Sequence, residues 1–302
     1  MSTLAVHAGP TRWRTLRKQA PNYLFVLPHL VFVLVFLAGP VVFGFWLSFH
    51  SWEILSPAKP FVGLDNYREL SRDGLFYTTA GNTLKFALLM VVAEVALGMA
   101  LALLVNRRFP GRLLVRVILF APRVISVITM AIIWQWLLNR DWGFINYQLW
   151  NLGFEPFNWL GDPGLALPSI AGATSWWVVG FAMIVYLAGL QNIPEHLYEA
   201  ARIDGASTWA QFWYITLPLL GPTTLFVSVS AFIAHMQVFG QIYLMTQGGP
   251  YYSTMSVVQY IYDHGFRYFR MGYAAAMSFA LAAVILVVTL VQFKLLNRQV
   301  EY

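Results

Sequence analysis

Cysteine is absent from the 302 residues, which removes any disulfide framework and any thiolate for metal or nucleophilic chemistry. Charge is scarce. Asp, Glu, Lys and Arg make up 11% of the chain, where a soluble domain carries about a quarter. The only lysines are Lys18, Lys59, Lys85 and Lys294, and none follows a glycine. A phosphate-cradling loop needs Gly-Lys followed by Ser or Thr, so the chain encodes no such nucleotide site. If its work is driven by ATP, the ATPase is another polypeptide. Paired carboxylates, His-rich metal spacing and a nucleophile beside a base are also missing at any common depth, which argues against an enzyme and against a resident metal.

Apolar residues are abundant. They form 59% of the chain, and the mean hydropathy is +0.61. Charge disappears over long runs: none occurs from Gln19 to Trp52, from Pro163 to Pro194, or from Gly205 to Tyr262. A bilayer crossing needs about 20 apolar residues, so these runs predict an all-α membrane protein. We place six transmembrane helices at about 23–49, 84–105, 114–138, 170–190, 219–245 and 272–296, making 23–296 one six-span domain. The apolar run after the N-terminus exceeds the core of a signal peptide (about 7–15 residues), so it is expected to stay as an anchor.

The net charge of +6 does not point to nucleic acid, because the basic residues sit at segment ends and not in an aromatic-studded patch. Arg12, Arg14, Arg17 and Lys18 precede the first span, Arg107, Arg108, Arg112 and Arg116 surround the second turn, and Lys294 and Arg298 close the sixth. The positive-inside rule then places segment 1–22, tail 297–302 and both termini in the cytoplasm, in a multi-pass inner-membrane topology. The other loops carry Lys59, Arg68, Arg72, Arg140, Arg267 and Arg270, so the bias is modest.

One loop stands apart. Between the fourth and fifth spans, Pro194 to Pro218 gathers Glu199, Arg202, Asp204 and Gly205 within a few positions. Polar sequence between two spans has to face water. Ala200 and Ala201 are small enough for another surface to come close. Gly205 permits a bend that a residue with a Cβ resists. Ser207 suits the cap of a second short helix bearing Trp209, Phe212 and Trp213.

The order Glu-Ala-Ala, three residues, Gly, then nine residues to Ile-Thr-Leu-Pro resembles the EAA coupling loop of ABC-importer permeases, which docks on the ATPase subunit. FVGLDNY at Phe61–Tyr67 and TQGGP at Thr246–Pro250 resemble signatures of the carbohydrate class, the maltose- and glycerol-3-phosphate-permease-like members. The resemblance implies a type I ABC importer permease fold, with Glu199, Ala200, Ala201, Asp204 and Gly205 coupling to the ATPase. It implies a second homologous permease subunit, an ATPase dimer holding ATP and Mg, an extracytoplasmic solute-binding protein, and membrane lipid around the spans. This chain would then form half of the pathway for a sugar or sugar-like solute, working by alternating access and performing no bond chemistry. The alternatives are the same fold serving a non-sugar solute, and an ion-coupled secondary transporter using Glu94 and Arg123.

Polar groups inside spans are costly and mark cavities or helix contacts. The fifth span carries Ser228, Ser230, His235, Gln237 and Gln241, and the four-residue spacing puts Gln237 and Gln241 on one helix face. A lone His on an apolar helix is more often a satisfied interhelical hydrogen-bonder than a ligand. Ungapped counting from the EAA stretch and the TQGGP turn puts Thr174, Trp177, Phe181 and His235 on sugar-contacting positions of the maltose-type members, with Val238 in place of a second Asn. Aromatic faces suit sugar C–H surfaces, and His and Gln suit hydroxyls. Trp134 and Gln135 are weaker candidates for the pathway.

Overall fold

The computed structural model describes residues 25–53, 56 and 58–296, with the side chain of residue 296 left aside. The expected segments 1–22 and 297–302 lie outside the described residues. Within them the chain is helical, and the β-type contacts are two isolated bridges, His50 with Phe61 and Glu53 with Arg270.

Helix α1 (Phe25–Leu47) loosens into a π turn over Val33–Ala38, where the Gly39 N–H reaches back to Leu34 O. Pro40 follows and supplies no N–H of its own. Helix α2 (Asp65–Leu70) is a short helix that contains the end of FVGLDNY. The motif acts as a clamp: Asn66 Nδ2 donates to Ser48 O (2.8 Å) and His50 O (3.1 Å), and the Tyr67 hydroxyl donates to Ser48 Oγ (2.8 Å). These bonds occupy backbone carbonyls freed where α1 ends.

Helix α3 (Gly74–Asn106) starts at a cap, not at the hydropathy edge. Asp73 Oδ1 accepts from the N–H groups of Leu75 and Phe76, each at 3.0 Å. The helix therefore begins ten positions before the expected Leu84. Its extra turns bury the polar residues Thr79, Asn82 and Thr83; Asn82 Nδ2 donates to Tyr252 O (2.7 Å) and Thr83 Oγ1 accepts from Val257 N–H (2.9 Å).

The segment expected at 114–138 is two helices, α4 (Arg112–Val124) and α5 (Val127–Leu137), bent by 99°. Pro122 tightens the last turn of α4 into a 3₁₀ form, Ile125 and Ser126 are extended, and Ser126 caps α5 by accepting from Thr129 N–H at 3.2 Å. Helix α6 (Phe144–Asn151) lies in the following loop, and α7 (Ala166–Gln191) is the next long apolar helix. The coupling-loop region forms α8 (Glu195–Ile203) and α9 (Thr208–Leu219). Leu220 then turns the chain by 62° into α10 (Gly221–Met236), where Pro222 occupies the first turn. This helix stops at Gln237, and α11 (Gly240–Met245) resumes three residues later. The last elements are α12 (Val257–Tyr262) and α13 (Met271–Leu296). Among the described residues four helices are long and apolar enough to cross a membrane, up to six if each bent pair is one span.

Helix α3 runs along both α7 and α10, and α11 packs on α5. Gly98 lets α3 approach α7 closely, since a Cβ there would come within 2.7 Å of Ala182 Cβ. Of the four buried clusters among the described residues, two frame the site. One joins Phe86, Met90, Met130, Ile170, Val238 and Ile242; the other, nearer the α8 loop, joins Val105, Met183, Tyr186, Leu190 and Leu220. Trp134 packs edge-on against Trp176 (5.8 Å) in the first cluster's periphery, while Gln135 is exposed.

Candidate functional site

Where the first cluster gives way, the helices leave a cavity of about 330 Å³. Glu94 comes from α3, Arg123 from the last turn of α4, Trp177 and Phe181 from α7, Ser230 and His235 from α10, and Gln241 from α11. Two chain breaks frame it. The break between α4 and α5 presents Arg123, and the one between α10 and α11 turns Gln241 back toward His235.

Each break frees backbone groups that need partners. At the first, Trp177 Nε1 donates to Ile125 O at 3.0 Å, which fixes the indole against the bend. The Arg123 guanidinium lies 4.5 Å from the centre of the Trp177 ring, a cation–π arrangement. Gly180 makes this packing possible, because a Cβ there would stand 2.8 Å from Phe120 Cα and push α4 away from α7.

Glu94 and His235 form a pair across α3 and α10. His235 Nε2 is 2.5 Å from Glu94 Oε1, and both residues are buried, at 5% and 7% exposure. The contact is a side-chain hydrogen bond between the two groups. Phe86 stands edge-on to the imidazole at 5.8 Å between centroids. His235 is therefore both a cavity-lining residue and a satisfied interhelical partner. Glu94 and Arg123 are not paired with each other, although they share the cavity.

The other expected pathway residues divide. Trp177, Phe181 and Gln241 join His235 at the cavity, with Phe181 43% exposed. Thr174 does not reach it: the residue is fully buried and its hydroxyl donates to Ile170 O of its own helix at 2.8 Å. Gln237 is exposed and outside the lining. The one-face expectation for Gln237 and Gln241 fails, since the helix ends between them and a helical offset has no meaning across that break. Val238, where the maltose-type members carry Asn, is buried in the core. Sequence reasoning did not single out Val178, Val227, Ala231 or Ala234. The signal was present: Val227, Ser230, Ala231, Ala234 and His235 follow the i, i+3, i+4, i+7, i+8 pattern of one helix face.

At the other end of α7, the loop forms a helix-turn-helix. Helix α8 closes with Ala206 N–H donating to Ala201 O (2.8 Å) and Gly205 N–H donating to Arg202 O (3.1 Å). This double bond pattern requires a left-handed residue after the cap, and Gly205 has φ +79°. Ser207 Oγ accepts from Ala210 N–H (3.2 Å) and starts α9. Leu197, Tyr198, Phe212 and Ile215 face the second core cluster, and the Tyr198 hydroxyl meets Thr216 Oγ1 at 2.9 Å. The opposite side is open: Glu199, Ala200, Asp204 and Gly205 are exposed, Ala201 is half-buried, and Ile203 is 86% exposed.

Residues 94–301 match the family described as "Binding-protein-dependent transport system inner membrane component". The chain belongs to this family. Among its relatives is the trehalose/maltose transport system permease protein MalF of Thermococcus litoralis, 39% identical over 282 residues, covering 92% of this chain and 94% of the relative. The arabinooligosaccharides transport system permease protein AraP of Bacillus subtilis is 35% identical over 305 residues, covering 98% and 96%. Among solved structures, a bacterial ABC transporter involved in import of the acidic polysaccharide alginate superposes with a TM-score of 0.85. It is 28% identical and covers 96% of this chain and 99% of that one. The chain therefore has the type I ABC importer permease fold. As an inner membrane component of binding-protein-dependent transport, it is a transport subunit whose helices span the membrane.

Proposed function

We propose that this permease forms one half of a saccharide pathway and takes its energy from a separate ATPase. The observation that carries the reading is the cavity, where the Trp177 and Phe181 faces stand beside the hydrogen-bonding groups of His235, Gln241 and Ser230. Aromatic faces accept the C–H surface of a sugar ring, and fixed polar groups orient its hydroxyls. The relatives named for trehalose, maltose and arabinooligosaccharides support the same solute class.

A second permease subunit supplies the other half of the pathway. Two ATPase subunits, holding ATP and Mg, dock on the exposed Glu199–Gly205 surface from the cytoplasm, which also contains both chain termini. A solute-binding protein delivers the sugar from the opposite side. The neighbouring alginate transporter was solved in complex with a pentasaccharide-bound periplasmic protein, which supports that arrangement. ATP closes the ATPase pair, the docked loops follow, and the bent helices open the cavity outward; hydrolysis returns it inward.

The test is purification of the tagged chain from its native membrane in mild detergent, with identification of what accompanies it and an assay for ATP hydrolysis. The expected result is a second six-span subunit, an ATPase, and saccharide uptake after reconstitution with the binding protein. A chain that elutes alone and drives ion-linked uptake in liposomes would overturn the reading and shift attention to Glu94 and Arg123.

A further inference from the structure

The cavity contains a cation whose donor edge is unused. Arg123 has its guanidinium face against Trp177, and Trp177 is itself fixed by its bond to Ile125 O. Stacking takes the face of a guanidinium and leaves the rim, where its five N–H donors lie in one plane. Among the described residues no side-chain or backbone acceptor takes a hydrogen bond from that rim, and no carboxylate comes within 4.0 Å of it. Arg68 pairs with Asp65, Arg267 with Asp263, Arg270 with Glu69, and Arg116 donates to Val105 O. Arg72, Arg107, Arg108, Arg112 and Arg140 have no such partner among the described residues; Arg123 differs from those five in lining this cavity. Glu94 is the one carboxylate on the cavity wall, and His235 occupies it.

A guanidinium within a span is costly unless water or an anion meets it, and Arg123 is exposed at the cavity. Its planar fork matches the paired oxygens of a carboxylate, sulfonate or phosphate, and such charge-assisted pairs are among the stronger hydrogen bonds. Around it the wall is mostly apolar, from Val178, Phe181, Val227, Ala231 and Ala234, which suits the non-ionic body of a sugar. Resting on the saccharide reading above, we propose that Arg123 is a specificity-determining residue and that the cavity selects saccharides bearing an oxyanion, held on the Arg123 fork with the sugar ring against Trp177 and Phe181.

The test measures binding to the purified, complete transporter without its binding protein, so that delivery does not set the preference. The probes are a uronate-terminated disaccharide, a sulfonated glycoside and a sugar phosphate, each compared with a neutral disaccharide of similar size, with inorganic phosphate as the sugar-free control. At least one acidic sugar should bind roughly tenfold or more tightly than the neutral one. Arg123→Gln should bring that ratio to about one. Arg123→Lys, which keeps the charge and loses the fork, should keep the preference at a lower ratio, and it carries the test if the glutamine variant does not assemble. Which acidic probe responds identifies the oxyanion.

Neutral and acidic sugars bound equally by the wild type, or a preference retained in Arg123→Gln, would overturn the assignment and leave the saccharide importer intact. Inorganic phosphate binding as tightly as any acidic sugar would also overturn it, in favour of a bare anion site. If no saccharide of either kind binds or is taken up, the underlying saccharide reading falls with it.

Discussion

Gly205 lets the coupling-loop hypothesis be tested by backbone conformation alone. Its φ is +79°, and a Cβ built there meets nothing within 4 Å. A Cβ therefore has room, and what resists its addition within the chain is the left-handed backbone. That cost is about 1–2 kcal/mol for an ordinary L residue and smaller for Asn, whose short polar side chain tolerates the region. If the residue leaves the left-handed region, the bonds from Ala206 N–H to Ala201 O and from Gly205 N–H to Arg202 O are lost. The exit from α8 then changes, and with it the spacing between the Glu199 surface and α9.

A penalty of about 1–2 kcal/mol is a factor of roughly 5–30 in the population of the native loop. The expected order of disruption is Gly205→Asn, then Ala, then Glu or Val, with β-branched Val worst at positive φ. The assay is ATP hydrolysis and saccharide uptake measured together in proteoliposomes of the complete transporter, at equal subunit content. Uptake per ATP should fall along that order while insertion into the membrane stays constant. Wild-type uptake by Gly205→Glu would refute the docking role. Equal damage from Asn and Val would refute the conformational reasoning, because the Cβ position is open and the two residues differ in their tolerance of positive φ.

Two other perturbations follow from the geometry. A double-mutant cycle on Glu94→Gln and His235→Asn, read by thermal unfolding in detergent, should give a coupling of about 0.6–1.7 kcal/mol, the range of hydrogen bonds between membrane helices; zero coupling would mean that the pair contributes nothing. Asp73 gives a pH signature outside the spans. Burial disfavours its charge, but donors from Tyr273 and Tyr260 (2.7 Å each) and the N–H groups of Phe76 and Leu75 outweigh it and hold its pKa below the ordinary value. A depressed carboxylate contributes stability above its unfolded pKa, about 3.9, and loses it as pH falls through the lower folded value. Melting temperatures should therefore fall below about pH 4 in the wild type, and Asp73→Ala should be less stable by about 0.5–2 kcal/mol at pH 7 with a flatter acid limb; parallel limbs would contradict the assignment.

The long uncharged runs carried the helical membrane class, since nothing but burial in lipid or protein explains so few charges over such lengths. The loop after α7 was legible for a local reason: Glu-Ala-Ala, Gly205 and Ser207 act within one or two helical turns, so their order in sequence specifies their geometry. The starts and breaks of helices were not read correctly where distant contacts decide them. Thr79, Asn82 and Thr83 read as loop on hydropathy, yet Asn82 and Thr83 are satisfied by backbone groups at Tyr252 and Val257. The bend at Ile125 and Ser126 did leave a local signature, a proline four residues ahead of a capping serine. The pairing of Glu94 with His235 and the stacking of Arg123 on Trp177 left none, because each joins helices far apart in the chain.

The geometry also joins the loop to the cavity through one continuous piece of chain. Tyr198 on α8 meets Thr216 near the end of α9, and Leu220 between α9 and α10 is fully buried among Tyr186, Leu187 and Leu190. From that pivot α10 runs to His235, where it stops beside Glu94. A rigid helix of sixteen residues converts a small rotation at the pivot into a displacement at its far end, about 24 Å away. The 62° bend fixes where that rotation is taken up, since Pro222 removes a backbone donor from the first turn of α10 and relaxes the link to α9. In the proposed coupling, docking at Glu199–Gly205 would act on the polar wall of the cavity at His235. The Arg123–Trp177 wall is held separately at the other bend, by the bond from Trp177 Nε1 to Ile125 O.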